Sequence, residues 1–238
     1  MYYFDFANLS EDALRHAMAM YYGTISHIDD SVGQIVSLLK EKGLYEDTMI
    51  IYTADHGDYM GFHHLLLKGG AMYDPLMKIP LIVKPARGSI NRGRVQSLTS
   101  TVDIPSMVLA QCGIEPHPVM ASAPRGDYVF AECFNRTKNY MVRSSTHKLL
   151  VNGSMSNATL FDLQNDPHEL CDISKEPESQ DIIDRMQARL LEEFFFARRR
   201  AHLDLNAPVI RAASAEEAQE MSDYMQNHSS MAFVSRNA

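Results

Sequence analysis

Cysteine is scarce in this chain of 238 residues: Cys112, Cys133 and Cys171 are widely spaced and odd in number. Such a set indicates neither a disulfide framework nor a zinc cluster, and each reads as a small apolar packing residue. No apolar run reaches the length that crosses a bilayer, and Met1-Tyr2-Tyr3-Phe4-Asp5 lacks the layout of a signal peptide. Positive charge is in deficit, with 22 Lys and Arg against 30 Asp and Glu for a net charge of −8, so nucleic acid is not an expected partner. The one basic run, Arg198-Arg199-Arg200, follows Phe194-Phe195-Phe196 and reads as the end of a helix. No internal repeat is present.

What remains is ample for a core, since 45% of the residues are hydrophobic. From Leu14 the apolar positions Met18, Tyr21, Ile25, Ile28, Val32, Ile35 and Leu39 recur by steps of four and three, which predicts one long amphipathic helix facing the core. Ser10 with Glu11 and Asp12 is its cap, and Lys40, Lys42 and Gly43 its stop. Met49-Ile50-Ile51-Tyr52 and Leu81-Ile82-Val83 read as buried strands, the first as an interior parallel one, and Ile104 to Gln111 as a helix.

Pro116, Pro118 and Pro124 mark a break. Beyond it, Tyr128–Cys133, Tyr140–Ser144, Lys148–Val151 and Thr159–Leu163 are short segments between turn residues, the pattern of a small antiparallel sheet. A helix from about Ser179 to Arg199 should cover one face through Ile182, Ile183, Met186, Leu190, Leu191 and Phe194. Ser214-Ala215-Glu216-Glu217 is a capping box for a last short helix.

Polar chemistry concentrates where the first strand ends, in Thr53-Ala54-Asp55-His56-Gly57-Asp58. In open α/β sheets ligands sit outside the carboxyl ends of strands, and Gly57 lets the chain turn away sharply. Standing alone, Asp-His-Gly is an ordinary turn; the continuation Gly61-Phe62-His63-His64-Leu65-Leu66-Leu67-Lys68-Gly69, then Tyr73-Asp74 and Ile79-Pro80-Leu81-Ile82-Val83, is not.

Taken whole, Thr53 to Val83 resembles the sulfatase family of the alkaline phosphatase superfamily. Tyr21-Tyr22 with Ile28-Asp29-Asp30, and Thr101-Val102-Asp103-Ile104-Pro105-Ser106, resemble its helices on either side. Arg143, His147-Lys148-Leu149 and Leu160-Phe161-Asp162-Leu163-Gln164-Asn165-Asp166-Pro167-His168-Glu169 resemble its C-terminal stretch. The similarity runs in order over roughly residues 14 to 172.

The resemblance implies an α/β fold, part of an alkaline-phosphatase-like three-layer sandwich, with a small C-terminal antiparallel sheet and helix. It divides the chain into 1–122, the C-terminal part of the catalytic domain, 123–200, a small α+β subdomain, and 201–238, a helical or mobile tail. It implies Asp55 and His56 as metal ligands, for calcium first and manganese, magnesium or zinc as alternatives. Lys68 and His63 become catalytic candidates, Lys68 facing the oxygens of the transferred group. Asp58 is expected to hold the loop and His64 to be a loop side chain.

The family's nucleophile is a formylglycine made within Cys-x-Pro-x-Arg or its serine form. Neither pattern occurs in the 238 residues. The resemblance therefore implies the second half of a metal-dependent sulfuric ester hydrolase, inactive alone, with a small-molecule or saccharide sulfate ester as substrate and the N-terminal half as partner. A phosphate or phosphonate monoester hydrolase of the same superfamily, favoured by His56, and a non-catalytic fragment are the alternatives. Five Asn-x-Ser/Thr sequons, at Asn8, Asn135, Asn152, Asn157 and Asn227, hint at a secretory route.

Overall fold

The computed structural model describes residues 9–87, 93–115, 127–134 and 138–203. The chain forms two compact units, Met1–Phe194 and Phe195–Ala238. The expected boundary near residue 122 and the short helix after Ser214 lie outside the described residues.

Helix α1 (Glu11–Glu41) starts and stops where its caps demand: the Ser10 hydroxyl accepts from the Ala13 amide, Lys42 is the C-cap, and Gly43 takes the left-handed conformation at φ 69°. Its apolar stripe does not bury as expected. No α1 residue is buried, and Met20, Tyr22, Ile25, Ile28, Ile35 and Leu38 are exposed. Of the expected stripe, Leu14, Met18, Tyr21, Val32 and Leu39 are half-buried, whereas Ile25, Ile28 and Ile35 stay exposed.

Strand β1 (Ile50–Thr53) pairs with β2 (Leu81–Lys84) antiparallel, with Ile50 opposite Lys84 and Thr53 opposite Leu81. The expected interior parallel strand is thus corrected. A parallel return needs a crossover long enough to bring the chain back to the same end, usually a full helix. Between these strands the only α-helix is the single turn α2 (Asp74–Met77), and the chain comes back from the opposite end. Lys84 pins the ladder, lying over the Tyr45 ring at 4.4 Å and donating to the Tyr45, Glu46 and Thr48 carbonyls. Helix α3 (Ile104–Gln111) follows, entered through a reciprocal cap between Ser100 and Asp103 and left at Gly113, φ 69°.

The core sits in the C-terminal part. Strands β3 (Val129–Phe134), β4 (Lys138–Arg143), β5 (His147–Asn152) and β6 (Ala158–Asp162) form an antiparallel meander in chain order. Helix α4 (Gln180–Leu203) covers one face, where Ile183, Met186 and Leu190 meet Val142, Leu149, Val151 and Leu160. Leu191, expected in that stripe, is exposed, because the buried positions follow steps of three and four from Ile183; the Phe194 side chain lies outside the described residues.

The other face is covered too. Met141, Leu150 and Phe161 pack against Met72, with Tyr73 and Met77 beside them. Burial on both faces explains why β5 reads as the continuous run Leu149-Leu150-Val151 rather than as an alternating strand. It also brings residues 72–77 of the site loop onto the sheet. No described helix is long and apolar enough to cross a membrane.

Candidate active site

Asp55 and His56 leave the end of β1 side by side. The His56 amide donates to Asp55 Oδ1 at 3.0 Å, and Asp55 Oδ2 lies 3.5 Å from His56 Nε2. The ring's other nitrogen, Nδ1, is 2.8 Å from the Gly57 carbonyl oxygen. A carbonyl can only accept, so Nδ1 carries the proton and Nε2 presents its lone pair. Lys68 Nζ stands 2.9 Å from that lone pair and donates to it. The backbone hydrogen bond from the His56 amide holds the exposed Asp55 carboxyl below its ordinary pKa, with the Lys68 charge adding to the effect.

The loop is built under strain. Met60, His63, His64 and Leu67 all have positive φ, although none is glycine. Cross-loop hydrogen bonds hold them: the Tyr59 amide to the Leu67 carbonyl and the Gly61 amide to the Leu65 carbonyl, each 2.8 Å. The buried Tyr59 hydroxyl donates to the Ala71 carbonyl. From α1, Leu14 lies against Gly61, and Tyr21 faces the Asp58 carboxylate. Burial and then the Asp58 carboxylate push the Tyr21 phenol up from its ordinary pKa. Asp58 is thereby engaged in holding the loop.

Of the four expected site residues, the fold gathers three. Asp55, His56 and Lys68 form one cluster, whereas His63 is held elsewhere. Its ring stacks on Tyr73 at 4.0 Å and 10°, and its Nε2 donates to the His168 carbonyl at 3.2 Å. His64 is an exposed loop side chain.

Gly57 is fixed by contact. Its amide donates to the Leu76 carbonyl at 2.8 Å, and a Cβ there would lie 2.1 Å from the Pro75 carbonyl oxygen. Gly57→Ala is therefore expected to push α2 off the loop and cost about 1–3 kcal/mol, as overpacking does. A lowered urea midpoint at unchanged slope would show it, and an unchanged midpoint would place α2 farther away than described.

Sequence reasoning missed what stands behind α2. Lys148 and Glu169, both fully buried, meet at 2.6 Å; Lys148 also reaches Asp74 Oδ1 at 2.7 Å, and Arg143 donates to Asp74 Oδ2 at 3.0 Å. Glu169 Oε2 accepts from the Asp74 amide at 2.6 Å. Burial alone would raise the Asp74 pKa, but the Lys148 charge and the hydrogen bonds from Arg143 and Lys148 prevail and hold it below the ordinary carboxylate value. The available signal was register: Arg143 and Lys148 are spaced to fall opposite each other across the β4–β5 hairpin, which leaves two cations wanting anions on one face.

The donor types at the strand end suit a divalent cation, since a carboxylate oxygen and an imidazole nitrogen converge to 3.5 Å, the nitrogen's lone pair being taken by Lys68. Among the described residues no third His, Cys, Asp or Glu joins them.

The sulfatase family model matches residues 2–114. An uncharacterized sulfatase of Escherichia coli is 30% identical over 205 residues, covering 77% of this chain and 39% of its own length. A 2-O GAG sulfatase structure superposes with a TM-score of 0.74 at 22% identity, over 81% of this chain and 46% of that one. The phosphonate monoester hydrolase of Agrobacterium radiobacter does so with a TM-score of 0.68 at 24% identity, over 80% and 43%. Fold and matched sequence together define a member of the alkaline phosphatase superfamily. The chain thus falls in the sulfatase / alkaline phosphatase superfamily and spans about two fifths of the length of the curated relatives it matches.

Proposed function

We propose that these residues supply Asp55 and His56 as metal ligands and Lys68 as the anion-facing cation of a sulfuric ester hydrolase. The observation that carries the reading is the convergence of the three groups at the end of β1, on a loop whose backbone is strained and cross-braced. When bound, a divalent cation would polarise an ester oxygen and the attacking group as a Lewis acid, calcium being the first candidate. Lys68, released from His56 Nε2 by that cation, would be free to meet the oxygens of a sulfate ester. His63 would serve to brace the loop through Tyr73 and His168.

The substrate would be a small-molecule or saccharide sulfate ester, a reading supported by the sulfatase relatives. A phosphonate or phosphate monoester is the second reading, favoured by His56 and by the likeness to a phosphonate monoester hydrolase. The exposed apolar side of α1, with exposed Ile82 and Val83 on β2, would take the polypeptide that supplies the rest of the sulfatase fold. What supports that occupant is the fraction of the relatives' length this chain spans.

Mn²⁺ titration followed by proton relaxation tests the metal assignment. Binding should be lost in Asp55→Ala and in His56→Ala and should strengthen in Lys68→Met, which removes a competing cation from Nε2. Unchanged binding in the two alanine variants would move the metal elsewhere.

A further inference from the structure

We infer that the buried cluster of Lys148, Glu169, Asp74 and Arg143 is a positioning device for His56, acting through α2 and Gly57. This rests on the reading of His56 as a ligand, and it gives the C-terminal sheet a part in the site. Each link is a short contact. Glu169 grips the Asp74 amide at 2.6 Å, and Lys148 and Arg143 grip the Asp74 carboxylate, so the first residue of α2 is held at both ends of its polarity. The carbonyl of Leu76, buried within the same helical turn, takes the Gly57 amide at 2.8 Å. The Gly57 carbonyl takes the His56 Nδ1 proton at 2.8 Å.

The chemical consequence falls on one atom. A free neutral imidazole divides its proton between the two nitrogens, but a carbonyl fixed beside Nδ1 keeps the proton there and leaves Nε2 as the donor. Orientation and basicity of a ligating histidine are set in this way by the partner of its other nitrogen. The sheet is well placed to impose it: the cluster is balanced, two cations on two anions, and Lys148 and Glu169 are fully buried. Glu169 adopts φ 55° to make the contact, a conformation that costs energy and persists where surrounding contacts demand it. His168, its neighbour, holds His63 through its carbonyl, so the same turn braces the loop at a second point.

Ring-nitrogen NMR of the 238-residue chain tests the inference without turnover. In the unmutated protein, at a pH where the ring is neutral, His56 should show a protonated Nδ1 and an unprotonated Nε2. Glu169→Gln and, at the half-open rim of the cluster, Arg143→Gln should each shift the two nitrogens toward a common value and weaken Mn²⁺ binding by about 10- to 100-fold. Leu190→Ala weakens the same sheet on its other face and should leave His56 unchanged. The Gly57 amide should exchange with solvent as slowly as the β5 amides, a measurement that needs no variant.

Variants that fold with His56 unaltered, or a Gly57 amide that exchanges freely while β5 is protected, would overturn the inference. A change in His56 equal in Leu190→Ala would overturn it as well, by showing mere loss of stability. A wild-type chain with the fixed proton but no affinity for Mn²⁺ would instead sink the metal reading and leave the positioning intact.

Discussion

Lys148→Met is expected to be among the most destabilising single changes available in this chain, lowering the unfolding free energy by about 3–5 kcal/mol at neutral pH. Methionine is one heavy atom shorter and uncharged, so most of the effect comes from the lost ammonium and little from lost packing. What it leaves behind is Glu169, fully buried, and Asp74, mostly buried, without the ammonium that both contact. Desolvated carboxylates without a partner are costly, and Arg143 reaches only Asp74.

The sign of the pH dependence is fixed by Asp74. In the unmutated protein its pKa is lowered, so its contribution is complete above the ordinary value of 3.8 and drains as pH falls through the lower folded value. In Lys148→Met the largest influence on Asp74, burial, loses its main opponent, and the folded pKa moves upward. Protonation then relieves the variant as pH falls. The relief of the variant narrows the gap between pH 7 and pH 4, and the loss in the unmutated protein narrows it further below 3.8, so urea unfolding at pH 7, near pH 4 and below 3.8 should show the difference between the two proteins shrinking on acidification. A gap independent of pH would mean that packing, rather than charge, makes Lys148 necessary.

Much of this arrangement was legible in the sequence, and the parts that were not share a cause. The ends of α1 and α3 are set by local groups, Ser10, Lys42, Gly43 and Gly113, and local groups can be read along the chain. The four strands of the meander follow from short apolar segments between turns. Asp55, His56 and Lys68 were legible as a group because a motif spaces them, though the contact of Lys68 with His56 Nε2 is a matter of loop geometry.

Pairing direction was not legible, since Ile50-Ile51-Tyr52 has the same composition in either kind of sheet; only the connection through α2 settles it. The exposure of α1 was not legible either, because periodicity says which side is apolar and not what lies against it. The orientation of His63 depends on Tyr73 and on His168, the latter 105 positions away. Lys148 shows the general difficulty most sharply. Its place on β5 is a local fact, but its burial requires a loop from one end of the chain and a carboxylate from a turn near the other.

The second large effect concerns activity. The 238 residues alone are expected to leave an aryl sulfate unhydrolysed, because they contain neither Cys-x-Pro-x-Arg nor its serine form, and the described residues bring together no three His, Cys, Asp or Glu that could hold a cation. Charged groups that orient a substrate cannot replace the covalent step that divides the reaction in two. Adding a polypeptide that supplies the rest of the sulfatase fold should restore turnover. In that reconstituted enzyme Lys68→Ala should lower kcat by about 10²- to 10³-fold, the usual cost of losing one group that stabilises charge developing in the transition state. Asp55→Ala should abolish metal dependence together with activity. His63→Phe keeps the stacking surface against Tyr73 and gives up only the bond to the His168 carbonyl, so its effect should be much smaller than that of Lys68→Ala. Comparing an aryl sulfate with an aryl phosphonate in the same assay decides the substrate class: preference for the sulfate supports the reading advanced here, and preference for the phosphonate transfers it to the second. Robust sulfatase turnover by the 238 residues unaided, lost in Asp55→Ala, would show that the chain holds a nucleophile of another kind.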